Sequence, residues 1–351
     1  MVPLLIVFII LIIAIPVMVW PKKTTVPEHA LRTNKRIVEL PDEAPYPISF
    51  CFPPSKIRPI QSKKKRYGTV IPGKLSTYIF KDEDLYMQDY GTSWFGKTCK
   101  KAGWDCMRHL EILGAGSIPL IDLTGCPDKT MFWYPKEYLT HIYKYHKRAD
   151  VDTLQKWCDE LRKDFLEHLT SDQMVRYMFR TMKKPDAKKV LYIDKSCQDN
   201  RDVMKDYAEN RGIVRHNYKV GDYLSLMVFS GLKEVCGRQC EAVYQPPYMY
   251  TDYTAKIELY GMGFNYAKSL DPSLREEPQT WEQIKSKIES RYYDLVVFGD
   301  WDRERSLLSI VSKHYRPSEI IACFGADRMY TPHADDVKAT IFARELGGAR
   351  S

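Results

Sequence analysis

DLVVFGD (294–300) carries four apolar residues, Leu295, Val296, Val297 and Phe298, in an unbroken run that Gly299 and Asp300 bring to an end. A strand with one wet face alternates apolar and polar residues. A strand buried on both faces does not, and such strands belong to parallel sheets covered by helices. KKVLYID (188–194), EAVY (241–244) and EIIACFG (319–325) have the same form. Between them lie stretches of helical pattern: DYLSLMVFSGLKEVC (222–236), WEQIKSKIESRY (281–292) and SLLSIVSKHY (306–315). Strands alternating with helices predict a Rossmann-like α/β unit with a parallel sheet.

The first half of the chain repeats this plan on a smaller scale. It offers extended PISFCF (47–52) and YGTVIP (67–72), a helix after Asp105, and a strand in IPLIDL (118–123). Residues 151–182 place Leu154, Trp157, Leu161, Phe165 and Leu169 near one helical face. The expected organisation is therefore a Rossmann-like domain over 46–150, a helical connector over 151–187 and a second Rossmann-like domain over 188–351. The two domains face a cleft.

VPLLIVFIILIIAIPVMVW (2–20) is uncharged over 19 residues, enough to cross a bilayer core of ~30 Å. It has no basic leader and no small-residue cleavage site, which predicts an uncleaved transmembrane anchor over 1–20. Residues 21–45, with Pro21, Pro27, Pro41 and Pro45, read as a stalk. Lys22, Lys23, Arg32, Lys35 and Arg36 follow the span and none precedes it. The positive-inside rule then predicts a single-pass protein with its body in the cytosol, a lumenal body in the Golgi or endoplasmic reticulum being the alternative.

Composition narrows the classes. The 44% hydrophobic and 28% charged content excludes a disordered chain. The 24 tyrosines and 7 tryptophans suit a sugar or base. Nine cysteines without a Cys-x-x-Cys pair imply neither a structural zinc nor a disulfide framework. The net charge of +8 favours an anionic ligand or a membrane surface. Its two concentrations, SKIRPIQSKKKR (55–66) and MKKPDAKK (182–189), read as solvated loops. The first lacks interleaved aromatics, so no nucleic-acid partner is expected.

The chemistry concentrates in KKAGWDCMRHLEILGAGSIPLI (100–121). Asp105 can cap a helix that turns Met107, Leu110 and Leu113 to the core. Arg108 and Glu111 then share a neighbouring face, ~4.5 Å apart along the axis. Gly103 allows close approach just before the helix N-terminus, whose free N–H groups form a phosphate seat. Arg108 adds a bidentate clamp, and Lys100 or Lys101 a point charge. Glu111, an acceptor-only carboxylate, suits the hydroxyls of a ribose. His109 either donates to a phosphate or sugar oxygen or is an ordinary histidine at the core edge. The competing structural reading of the pair is a surface Arg108–Glu111 contact worth a few tenths of a kcal/mol.

This block resembles the nucleotide-sugar motif of exostosin-like and related GT-B glycosyltransferases, in which a helical glutamate precedes a small-residue turn and Ile-Pro. YMQDYGTSWFGKTC (86–99) is similar to the strand and loop that feed it. GDYLSLMVFSGLKEVCG (221–237), YGMGFNYAKSL (260–270) and YYDLVVFGDWDR (292–303) resemble the acceptor half of the same group. The resemblance implies a donor nucleoside-diphosphate sugar held by Lys100, Lys101, Gly103, Trp104, Asp105, Arg108, His109 and Glu111. It implies a glycan or glycoprotein acceptor near Tyr223, Tyr260 and Gly261; if the reaction inverts, Asp222 or Asp300 is the candidate base, Asp222 being equally a candidate helix cap. No cofactor and no metal are implied.

The order of the halves departs from that family, because the nucleotide half comes first. ATIFARELGG (339–348) is similar to the segment that normally leads into PISFCFPPSKI (47–57), which suggests a circular permutation. Two rival readings stand beside this one. GDWD (299–302) offers Asp300 and Asp302 as a metal pair of the kind GT-A glycosyltransferases use. The fold could also serve a non-catalytic carbohydrate-binding scaffold. YGMGFNY (260–266) lacks the third glycine of a dinucleotide fingerprint, and KKVLYID lacks the glycine-rich turn of a methyltransferase.

Overall fold

The computed structural model describes residues 41–195, 221–256 and 258–347. The anchor expected over 1–20 and most of the stalk lie outside them. Among the described residues no helix is long and apolar enough to cross a membrane.

The chain is α/β with two parallel sheets, consistent with Rossmann-like units. Strand β1 (Tyr46–Pro47) comes first. A three-stranded sheet follows, with β2 (Lys65–Tyr67), β3 (Ser93–Lys97) and β4 (Ile118–Leu120) in that order. Helix α1 (Glu83–Gly91) precedes β3, and α2 (Met107–Gly114) joins β3 to β4. Helices α3 (Lys136–Tyr145), α4 (Val151–His168) and α5 (Ser171–Thr181) come next. Asp150 caps α4 by accepting from the Thr153 N–H. The stretch expected as helical over 151–182 breaks at Leu169–Thr170, where Phe52 bridges to Thr170.

The larger sheet adds β5 (Val190–Ile193), β6 (Cys240–Ala242), β7 (Leu295–Phe298), β8 (Ile320–Phe324) and β9 (Thr340–Ala343). Helix α6 (Tyr223–Cys236) lies before β6, α7 (Trp281–Glu289) before β7, and α8 (Leu308–Val311) before β8. The strand order is β1-β9-β8-β7-β5-β6, all parallel. Every residue of β5, β7 and β8 is buried, as their unalternated sequences require. The chain leaves β5 for β6 on one side and returns to β7 on the other. The crevice between β5 and β7 is therefore the switch point at which open α/β sheets take ligands.

Two features of the expected layout change. Residues 46–52 do not join the small sheet. β1 pairs with β9, the Ile48 N–H donates to the Ala343 carbonyl at 3.0 Å, and Phe52 exchanges backbone bonds with Leu169 and Ser171. Segments 339–343 and 46–47 thus lie side by side and parallel. One buried apolar cluster runs from the small sheet through α3–α5 to one face of the large sheet, and a second covers the other face. The close approach of α5 and α6 needs Gly231, because a Cβ there would strike the Ser171 carbonyl.

The basic run 55–66 is not a solvated loop. Lys56 pairs with Glu83 at 3.0 Å, and Lys63 donates to the carbonyls of Gly91 and Gly116 and to Ser117. Burial lowers the Lys63 pKa accordingly. Like charges adjacent in sequence are tolerated because Lys63, Lys65 and Arg66 meet separate acceptors and Lys64 is exposed.

Candidate functional site

Helix α2 carries the decisive pair. Glu111 is buried, with 6% of its surface exposed. Tyr86 of α1 donates to one carboxylate oxygen at 2.6 Å, and the side-chain amide of Asn265 donates to the other at 3.1 Å. Burial raises the Glu111 pKa, opposed by the Tyr86 bond and the Arg108 charge. Two donors on a buried carboxylate favour its ionised form, yet both are neutral and leave its charge without a direct ion pair.

Arg108, one turn earlier, is mostly buried. Its Nε has no hydrogen-bond partner, and among the described residues the guanidinium makes no ion pair. Its neighbour is the Tyr78 ring, 5.2 Å away. Against the cost of burial, the Tyr86 and Tyr90 hydroxyls, the Glu111 carboxylate one turn on and the Tyr78 hydroxyl favour the charged form of Arg108 and raise its pKa.

The second half closes over this pair. The Asn265 N–H donates to Glu83 at 3.0 Å, and the Phe264 ring lies 5.6 Å from that of Tyr86. Tyr223, at the start of α6, meets Tyr260 and Tyr266 edge-on at 5.3 and 5.6 Å. Gly261 has φ +57°, and a Cβ there would run into the Tyr223 hydroxyl. Tyr223, Tyr260 and Gly261 therefore converge, as the sequence reading grouped them. The Glu111 charge helps burial push the Tyr223 hydroxyl well above its ordinary pKa. Asn265 was not singled out in the sequence. Its signal was an asparagine two residues after a Gly-x-Gly, where left-handed backbone is common.

The tip of α2 is built differently from expectation. Cys106, not Asp105, occupies the cap position. Asp105 is buried and accepts from the Phe50 N–H at 2.6 Å and from the Tyr134 hydroxyl at 3.1 Å. Burial pushes its pKa up to about 7 against the pull of Arg344. The Asp105 N–H donates to Glu345 at 3.0 Å, and Arg344 donates to the Asp105 carbonyl at 2.6 Å. Gly103 is required here because a Cβ would collide with the Glu345 carboxylate. A carboxylate from the end of the chain thus lies where the sequence reading seated phosphate.

His109 is a neutral interior residue. Its ring nitrogens lie 2.9 Å from the Thr98 hydroxyl and 2.9 Å from the Trp104 carbonyl, and burial lowers its pKa to about 4. It holds the 98–104 bend in place, which is the bland alternative of the sequence reading. Lys100 lies over the Trp104 ring at 5.1 Å, and Lys101 is exposed on the same bend.

A third group lies at the switch point. Asp194 follows β5 and Asp300 follows β7, both buried. Asp222 caps α6 by accepting from the Leu224 and Ser225 N–H groups. Arg303 approaches both Asp222, at 3.4 Å, and Asp300, at 3.3 Å. Burial pushes the Asp300 pKa up to about 8; Arg303 opposes this, and Asp222 and Asp194 add to it. Asp302 instead meets Arg328 at 3.0 Å, with Arg305 and His333 beyond. Asp300 and Asp302 thus pair with different arginines, and the Asp302 charge adds to the upward push on Asp300. Among the described residues no three His, Cys, Asp or Glu side chains are grouped to hold a metal ion.

The residues singled out in the sequence thus fall into three places: Arg108 and Glu111 with the tyrosines of the second half, the 100–105 bend against Arg344 and Glu345, and the switch-point carboxylates. The chain matches no known protein family, no curated protein and no solved structure.

Proposed function

We propose that the chain is a glycosyltransferase that moves a sugar from a nucleoside diphosphate to the hydroxyl of a glycan or glycoprotein. The observation that carries the reading is Arg108, a largely buried guanidinium that makes no direct ion pair among the described residues, one helical turn from the buried acceptor Glu111. A ligand with phosphate oxygens at one end and hydroxyl donors at the other complements that pair. With Glu345 bonded at the helix tip, the diphosphate belongs at Arg108 and not at the tip.

The acceptor enters from the side of Tyr223 and Tyr260. Its oxygen attacks the anomeric carbon, the bond from that carbon to the diphosphate breaks, and the electron pair leaves with the phosphate. Charge grows on the leaving diphosphate, and a fixed cation in a poorly solvated site stabilises it most. The acceptor proton passes to a carboxylate at the switch point. Asp300 is the better candidate, because Asp222 is engaged as a helix cap. In the same reading, residues 1–20 anchor the protein in a membrane with the body on the cytosolic side.

The test uses the full chain in detergent micelles with a panel of uridine and guanosine diphosphate sugars and simple glycan acceptors. Release of free nucleoside diphosphate, accelerated by one acceptor, is the expected result. A folded protein that binds none of the panel would overturn the reading.

A further inference from the structure

We infer that residues 258–268 form a latch in which Asn265 occupies the hydroxyl-binding carboxylate until the donor displaces it. The inference rests on the donor reading above, since the displaced contact is the one proposed for ribose.

Glu111 is closed on both sides. Tyr86 takes one oxygen and Asn265 the other, and almost no carboxylate surface reaches solvent. The Asn265 amide gives the carboxylate a single N–H donor, which is the interaction a sugar hydroxyl would make with its O–H. Tyr86 belongs to α1 of the same half and is part of the seat. Asn265 comes from the other half, so it is the group that must leave.

The latch is built to release. Asn265 is fully buried, yet its side-chain oxygen has no hydrogen-bond partner among the described residues, so the closed state carries an unsatisfied acceptor. Gly261, Met262, Gly263, Asn265 and Lys268 all have positive φ, between +52° and +76°. For Met262 and Lys268 this backbone is unfavourable and persists only while the contacts around it hold. The contacts that hold it are the Asn265 N–H on Glu83, its amide on Glu111, Gly261 against the Tyr223 hydroxyl, Phe264 on Tyr86, Tyr266 between Tyr223 and Tyr248, and the Lys268 N–H on the Tyr248 carbonyl.

The loop also has room. Tyr260 and Met262 are each nearly half exposed. Leu259, Met262, Gly263 and Phe264 line a cavity of about 410 Å³ together with Tyr248 and Tyr253. Opening would carry Tyr260 and Gly261 away from Tyr223, so donor entry and the shape of the acceptor side change together. A closed population that must open first lowers apparent donor affinity by the open fraction.

The experiment compares hydrogen exchange over 258–268 and UDP and GDP binding in the full-length wild type, Asn265→Gly and Asn265→Asp. Glycine keeps the positive φ and removes the amide, whereas aspartate keeps the size and sets a like charge against Glu111. Saturating nucleotide is expected to speed exchange in the wild-type loop. Both variants are expected to exchange faster without ligand, and Asn265→Gly to bind about tenfold tighter, the scale of one hydrogen bond to a charged group. Nucleotide binding that leaves wild-type exchange unchanged, or weaker binding by Asn265→Gly, would overturn the latch. If neither nucleotide binds the wild type, the donor reading falls. The ligand-free comparison then decides the latch alone: faster exchange in the two folded variants supports it, and unchanged exchange overturns it.

Discussion

Replacing Arg108 with glutamine separates a ligand-binding arginine from a structural one. Among the described residues the guanidinium makes no ion pair and its Nε no hydrogen bond, and it lies over the Tyr78 ring. Glutamine therefore breaks no ion pair and no Nε hydrogen bond, but it takes from the buried Glu111 the nearby positive charge that favours its ionised form. Stability should fall only slightly, because the Glu111 carboxyl can take up a proton once that charge is gone. Binding is another matter. A hydrogen bond between charged groups contributes about 1.5–3 kcal/mol, so the dissociation constant for UDP should rise roughly 10- to 150-fold. The salt dependence of binding should flatten, because one cation no longer meets the diphosphate. Arg108→Lys, with its charge but without the fork, should fall between the two. Titration calorimetry with UDP, paired with urea unfolding of the same preparations, reads both quantities. Unchanged UDP affinity in the glutamine variant would refute the argument. So would a loss of stability matched by normal affinity, since Arg108 would then be holding structure.

Turnover should persist in excess EDTA, because Arg108 supplies the charge that faces the diphosphate; activity lost in chelator and restored by manganese or magnesium would return the diphosphate to Asp300 and Asp302. The rate should climb with pH through the Asp300 pKa of about 8, and a wild-type profile flat from about pH 6 to 9 would remove Asp300 as the base. Because the folded pKa of Asp300 lies above its ordinary value of 3.8, its stabilising contribution is full below about pH 4 and is lost as pH rises through about 8. Asp300→Asn should therefore gain stability relative to wild type between those limits, as urea titrations at pH 4.5 and 8.5 would measure. Arg344→Ala leaves the buried carboxyls of Asp105 and Glu345 without their cation and should cost about 3–5 kcal/mol. A loss below about 1 kcal/mol would mean that the contact between the 100–105 bend and the end of the chain is dispensable.

The sequence alone determined the layers of this protein. Unalternated runs such as Leu295–Phe298 can be satisfied only by burial on both faces, and helical spacing between them leaves a parallel sheet as the economical solution. It also singled out Arg108 and Glu111, since a cation and an acceptor three apart beside an apolar helical stripe need a reason. Partners were not legible. The Asp105 carboxyl reads as a helix cap from its position, but it accepts from Phe50 and Tyr134 and feels the charge of Arg344, which donates to the Asp105 carbonyl from 239 residues away. Lys63 reads as solvated because its neighbours are basic, yet it reaches carbonyls on two other elements. Asn265 acquires meaning only when its loop folds onto α2, 154 residues from Glu111 in sequence. Local pattern reports periodicity and burial, which depend on residues a few positions apart. Which charge meets which acceptor depends on long-range packing, and there only the tertiary structure decides.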